Sequence, residues 1–147
     1  MSNQSLTDEE RRNLEVVEEW MRCWNTKGMM AKMVDEIYAD PAEVFTPIQS
    51  KYYSKKDGNK DAWRKLELLL EKLIQKREMR LVTTVAKGNM VILEAIAATT
   101  TLGRTVERWT AAFLTFDDDG KVVSDHTYMP LSGFERLLEK IITRFIK

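Results

Sequence analysis

The 147-residue chain carries 23 lysines and arginines against 23 aspartates and glutamates, with 44% hydrophobic residues and few glycines and prolines. This length holds one domain, expected over residues 1–147, burying roughly two thirds of its unfolded surface. The balanced charge leaves no electrostatic footprint for nucleic acid or an anionic membrane, so a neutral or apolar small molecule is the expected partner.

The single cysteine, Cys23, excludes an intramolecular disulfide. In mid-helix it reads as a packed thiol, which suits a reducing compartment. Residues 1–7 lack the basic and then apolar pattern of a secretory signal. No run approaches the roughly 18 apolar residues of a spanning helix, and a cytoplasmic protein is expected.

Thr7 and Glu10 form a capping-box pattern that starts the first helix. Its apolar positions Leu14, Val17, Trp20 or Met21, and Trp24 recur at helical spacing, and Asn25 to Gly28 ends it. Met30, Met33, Val34 and Ile37 predict a short second helix closing near Asp40-Pro41, because the residue before proline disfavours helical dihedrals. Glu43 to Ile48 reads as a short strand stopped by Pro47, followed by a polar loop through Lys60. A third helix is predicted from about Asn59 to Lys76, with Ala62, Leu66, Leu69, Leu70, Leu73 and Ile74 on one face and Trp63 beside them.

From Glu78 onward the period becomes alternating. Strands are predicted over about Met79–Lys87, Met90–Leu102 and Arg104–Phe116, joined by Lys87-Gly88-Asn89 and Gly103. The turn Asp118-Asp119-Gly120-Lys121 leads into a fourth strand, Val122–Met129. Ser132 and Glu135 repeat the capping-box pattern before Phe134, Leu137, Leu138, Ile141, Ile142 and Phe145, predicting an amphipathic helix over 132–146. Its apolar stripe would cover one end of the sheet or a partner subunit.

This order predicts an α+β fold: a cone-shaped, curved antiparallel sheet packed against three helices of the N-terminal half, with an additional C-terminal helix. The chain resembles the nuclear-transport-factor-two-like superfamily, in its SnoaL-like branch of polyketide cyclases, limonene-epoxide hydrolases and ketosteroid isomerases. The resemblance is carried by the helical hairpin Trp20 to Ala39, the segment Ala42-Glu43-Val44-Phe45-Thr46-Pro47, and Gly58-Asn59-Lys60-Asp61-Ala62 entering the third helix. Gly103-Arg104-Thr105-Val106-Glu107, Phe113 to Phe116 and Asp119-Gly120-Lys121-Val122-Val123 continue it, over a core of about 13–133. It implies a homodimer through the outer face of the sheet. It does not choose an activity, because the superfamily hosts several chemistries and binders as well.

The resemblance lets known catalytic sets be compared with this chain. The epoxide-hydrolase set of Arg and two Asp falls on Ala95, Ala97 and Thr127, so no carboxylate is left to hold the attacking water. The ketosteroid-isomerase set falls on Thr46 for the proton shuttle, Trp20 for the tyrosine and Ala112 for the oxyanion aspartate. The cyclase-like pattern places its final-strand histidine at Asp125, with His126 adjacent.

Strand alternation sends Asp125 and His126 to opposite faces, which also excludes Ser124-Asp125-His126 as a catalytic triad. With Val123, Asp125 and Thr127 inward, His126 and Tyr128 face away, unless a bulge near Pro130 exchanges the faces. The expected inward set is Val44, Thr46, Ala95, Ala97, Arg108, Thr110, Ala112, Leu114, Asp125 and Thr127, with Trp20 and Trp24 from the first helix. These residues describe an apolar cavity with few polar groups.

The catalytic expectation is Asp125 as general acid or base, Thr46 and Thr127 as positioning groups, and Arg108 stabilising negative charge. The structural alternative is an ion pair between Asp125 and Arg108. Glu94 and Glu107 are expected on the outer face, where they could meet His126 but where a subunit interface or solvent is the expectation. One histidine and one cysteine do not make a zinc site, and the Asp117-Asp118-Asp119-Gly120 run lacks the later glutamate of a calcium loop. No phosphate-cradling glycine loop is present. No metal or cofactor is therefore expected. The functional expectation is a cofactor-free cyclase- or isomerase-like enzyme on a hydrophobic small molecule; the alternatives are a non-catalytic binding or assembly module and an epoxide hydrolase with an altered catalytic set.

Overall fold

The structure is a computed structural model that describes residues 5–45, 60–133, 135–137 and 140–141. Helix α1 (Asp8–Asn25) and helix α2 (Met30–Ile37) form the expected hairpin, followed by β1 (Tyr38–Phe45), α3 (Lys60–Leu73), β2 (Ile74–Lys87), β3 (Met90–Thr101), β4 (Arg104–Phe116) and β5 (Val122–Tyr128). The five strands make one curved open sheet in the order β1-β5-β4-β3-β2. All neighbours are antiparallel except β1 and β5, which run parallel.

Local signals set much of this. The Thr7 and Glu10 capping box forms in full, each side chain accepting from the other residue's backbone N–H. Helix α1 is then tied to the sheet by polar clamps along its length. Glu10 accepts from the Gly88 N–H and Asn13 donates to the Gly88 carbonyl, both at the β2–β3 turn. Further along, the Asn25 amide exchanges two hydrogen bonds with the Met79 backbone. Ser132 and Glu135 also form a reciprocal capping box, and residues 133, 135–137 and 140–141 are helical.

Three boundaries differ from the sequence expectation. Helix α2 ends at Ile37 and β1 begins at Tyr38, before the predicted Glu43, because Tyr38 pairs with Val122. The cis Asp40-Pro41 bond lies within this edge strand, where a missing N–H is tolerated. The predicted strand's remainder, including Thr46, lies outside the described residues. Helix α3 stops at Leu73, and Ile74 opens β2 by pairing with Thr101. The buried stripe of α3 runs through Trp63, Leu66, Glu67 and Leu70, while Leu69 and Leu73 are exposed. The edge of Trp63 packs on Tyr38 at 4.5 Å between ring centroids, which turns the helix onto that face.

The β4–β5 turn is closed by Gly120 N–H to the Asp117 carbonyl and Lys121 N–H to the Asp117 side chain. Gly120 is buried at φ +77, and a Cβ there would lie 3.2 Å from Arg12 Nε, so both conformation and space call for glycine. Immediately after the turn Phe116 pairs with Val122 but Thr115 pairs with Ser124, leaving Val123 as a bulge. Val122 therefore takes the buried place expected of Val123, and alternation resumes with Asp125 and Thr127 inward. The irregularity precedes Asp125 and lies well before Pro130.

Candidate functional site

The concave face of the sheet collects Val44, Ala95, Ala97, Arg108, Thr110, Ala112, Leu114, Asp125 and Thr127, all buried. Trp20 of α1 reaches the same interior, and Tyr38 joins it from the start of β1. These elements meet in one hydrogen-bond chain. Trp20 Nε1 donates to Tyr38 Oη at 2.8 Å, and Tyr38 Oη donates to Asp125 Oδ2 at 2.5 Å. Thr127 Oγ1 donates to Asp125 Oδ1 at 2.6 Å. Both carboxylate oxygens are thus held by hydroxyls, with no cation paired to Asp125 among the described residues.

Burial dominates the electrostatics. Asp125 is 3% exposed, and loss of hydration pushes its pKa up even though the Thr127 and Tyr38 hydroxyls and the nearby His126 act in the other direction. Burial, followed by the charge of Asp125, raises the Tyr38 phenol well above its usual range. An acidic group with no charged partner in an apolar interior is primed to hold a proton at a higher pH than an exposed aspartate would.

A second buried polar cluster borders the first. Trp63 Nε1 donates to Glu67 Oε1 at 3.1 Å, and Glu67 Oε2 lies 3.0 Å from Arg77 Nη1. The Arg77 guanidinium covers the ring of Trp24 at 5.4 Å, and Trp24 stands 6.0 Å from Trp20. Trp20 therefore touches the Asp125 chain through Tyr38, whereas Trp24 sits one ring further out.

Arg108 does not join Asp125. It pairs in register with Ala97, whereas Asp125 pairs with Leu114. The six-residue offset along β4 separates the two positions by about 20 Å at the usual strand rise. Arg108 instead forms an ion pair with Glu135 and contacts the Met129 sulfur. The alternative of an Asp125–Arg108 ion pair is not formed, and Arg108 is also too distant for the expected role of stabilising charge beside Asp125.

On the outer face, His126 Nε2 lies 3.8 Å from Glu43 Oε1, and the His126 ring lies 5.7 Å from that of Phe45. Parallel pairing of β1 with β5 brings Glu43 there. Glu94 is in register with Ala111, two strands away from β5, and both Glu94 and Glu107 are exposed. Tyr128 packs against Phe45 and Phe113 on this same face. Among the described residues no cluster of three or more His, Cys, Asp or Glu side chains is arranged to hold a metal ion.

Tyr38, Trp63, Glu67 and Arg77 are the site residues that sequence reasoning passed over. Tyr38 looked like the end of a helical stripe. Glu67 was signalled by its spacing of four from Trp63 on the face shared with Leu66 and Leu70, once the stripe is drawn through Trp63.

No family model matches the sequence, and neither does any curated protein. Solved structures do match. A protein of Jannaschia sp. CCS1 assigned as a SnoaL-like polyketide cyclase superposes with a TM-score of 0.67 at 13% identity, covering 92% of this chain and 95% of its own. An LEH-like epoxide hydrolase from M. tuberculosis gives 0.66 at 16% identity, covering 92% and 96%. An NTF2-like protein from Anabaena variabilis gives 0.67 at 12% identity, covering 90% and 98%. The chain has the NTF2-like fold seen in SnoaL-like proteins, in agreement with the resemblance in its sequence.

The folded-state pKa of Asp125 lies above its unfolded value, so its contribution to stability is fully present below the unfolded pKa and is lost as pH rises through the folded one. Asp125→Asn has no charge to bury. Its urea-unfolding free energy should gain on the wild type as the pH rises above the ordinary aspartate range; a difference that stays constant or shrinks as the pH rises would contradict the raised pKa.

Proposed function

We propose that the protein is a cofactor-free enzyme that moves a proton on a hydrophobic small molecule, in the manner of a polyketide cyclase or an isomerase. The observation that carries this proposal is the buried Asp125 carboxylate, held by two hydroxyls without a neutralising cation. A carboxylate whose pKa is lifted toward the working pH is a stronger base than an exposed one and still ionises.

Asp125 Oδ2 takes the proton of a C–H bond next to a substrate carbonyl, and the C–H electron pair moves toward the carbonyl oxygen. Tyr38 Oη–H, oriented by Trp20 Nε1, turns from the carboxylate to the developing oxyanion. Thr127 keeps Oδ1 in place. An enolate conjugated with a C=C bond then takes the proton back from Asp125 at another carbon, giving isomerisation; alternatively the enolate carbon attacks a second carbonyl of the same molecule, whose oxygen takes the proton back from Asp125, giving ring closure. The small side chain of Ala112, in register with Thr127, provides apolar floor beside the carboxylate. Tyr38 replaces Arg108 as the group placed to meet negative charge. The polyketide cyclase assignment of a structural neighbour favours this class. Epoxide hydrolysis is disfavoured by Ala95, Ala97 and Thr127, which supply no water-holding carboxylate.

A second reading, a non-catalytic binding or assembly module, is favoured by one specific observation: both Asp125 oxygens are engaged internally, and Trp20 and Tyr38, each 2% exposed, close over them. The discriminating measurement is solvent-deuterium exchange into hydrophobic 1,3-diketones followed by proton NMR. The enzyme should exceed buffer, and Asp125→Asn should lose about 100-fold or more of that rate. Equal exchange in wild type and Asp125→Asn, or none above buffer, would remove the catalytic assignment and leave the binding module.

The proposed protein partner is a second copy of the chain, docked through the outer sheet face. Phe45, Trp109, Phe113 and Tyr128 are exposed there, making an aromatic surface that a second copy would cover. Light scattering at micromolar concentration should give the dimer mass; a monomer mass would overturn this.

A further inference from the structure

Two buried charged groups, Glu67 and Arg77, take no part in the chemistry proposed for Asp125, yet their contacts lead toward it from both sides. Glu67 is 2% exposed, and its Oε2 lies 3.0 Å from Arg77 Nη1. On one side Glu67 Oε1 accepts from Trp63 Nε1 at 3.1 Å, and the Trp63 ring meets the Tyr38 ring edge-on at 4.5 Å between centroids. On the other side the Arg77 guanidinium covers Trp24 at 5.4 Å, Trp24 stands 6.0 Å from Trp20, and Trp20 Nε1 donates to Tyr38 Oη at 2.8 Å. The six side chains close a circuit through α1, β1, α3 and β2. Tyr38 carries it on to Asp125 Oδ2.

The two arms restrain Tyr38 in different ways. Packing on Trp63 sets where the phenol ring lies. The Trp20 indole occupies an acceptor position of Oη, which turns the hydroxyl proton toward the carboxylate. The arms meet at the ion pair. A buried ion pair is a weak source of stability, because desolvation offsets the attraction of the charges; what a satisfied polar network supplies is a fixed arrangement of the groups around it. The pair also reaches Tyr38 electrostatically. Burial and the charge of Asp125 raise the Tyr38 phenol, and the charge of Glu67 adds a smaller push in the same direction.

We propose that Glu67 and Arg77 are positioning residues, whose ion pair joins the Trp63 and Trp24 arms and so holds the Tyr38 hydroxyl on the Asp125 carboxylate. Glu67 serves both arms because it presents one oxygen to the indole and the other to the guanidinium. Arg77 serves because a planar guanidinium lies flat on an indole while pairing with a carboxylate, which the compact ammonium of lysine does not do. The catalytic meaning of this assignment rests on Asp125 as the proton-moving group; the hold on Tyr38 does not.

Two charge-conserving variants test it, read by NMR titration of the Asp125 carboxyl carbon. Glu67→Asp is one methylene too short to reach both partners, and Arg77→Lys loses the flat face on Trp24. Burial raises the Asp125 pKa while the Thr127 and Tyr38 hydroxyls oppose it, so a loosened Tyr38 hydroxyl lets the midpoint climb. Each variant should shift the midpoint to higher pH, by no more than Tyr38→Phe does, and neither should move it in a Tyr38→Phe background. An unmoved midpoint in either variant, or a shift that persists without the Tyr38 hydroxyl, would overturn the assignment. In the diketone exchange assay the same variants should lose about tenfold in rate. If the wild type does not exceed buffer in that assay, the catalytic reading of Asp125 fails by itself, and the titration still decides the role of the pair.

Discussion

The interior of this protein is organised around a carboxylate that has been taken out of water without a cation to pair with it. Asp125 is kept there by hydroxyls from two directions, Thr127 on its own strand and Tyr38 on the neighbouring one, and Tyr38 is fixed in turn by the indole of Trp20. One chain of hydrogen bonds thus joins α1, β1 and β5. Burial of a polar group is tolerated when its bonds are met, and a satisfied network in a low-dielectric interior specifies one arrangement of the elements around it. The bulge at Val123 and the glycine turn before it matter because they set which residues of β5 enter that interior.

The same register divides the concave face into two regions of different chemistry. Near β1 the polar groups are uncharged hydroxyls and an indole around the buried Asp125 carboxyl. Near the β3–β4 turn they are arginines, threonine hydroxyls and the Glu135 carboxylate. Alanines and threonines lie between. The hydroxyl-bound Asp125 carboxyl and the arginine cluster are therefore separate features of one face, and the outer face, with its exposed aromatic side chains, is separate from both.

Much of this was legible from residue patterns. The capping boxes at Thr7 and Ser132, the β3–β4 hairpin at Gly103 and the opposite facing of Asp125 and His126 all follow from local chemistry and alternation. Tyr38 was not legible, because the helical stripe from Met30 to Ile37 runs straight into it and only its pairing with Val122 makes it a strand residue. The leucines of α3 drew the stripe away from Glu67, and Trp63 packing on Tyr38 decides otherwise. The distance between Arg108 and Asp125 was implicit in the β4–β5 turn, since the hairpin register sets Asp125 opposite Leu114. Shared inward orientation gave a common face, but a common face does not bring two side chains together.

Tyr38 and Asp125 act as one unit, and their coupling has a signature that no packing role reproduces. The hydroxyl of Tyr38 favours the charged carboxylate, while burial opposes it and prevails. The most direct test is the pH titration of the Asp125 carboxyl carbon by NMR in the wild type and in Tyr38→Phe. A midpoint above the ordinary aspartate range, moving higher when the Tyr38 hydroxyl is removed, is the result expected. A midpoint within or below that range, or one that Tyr38→Phe leaves unmoved, would contradict the account.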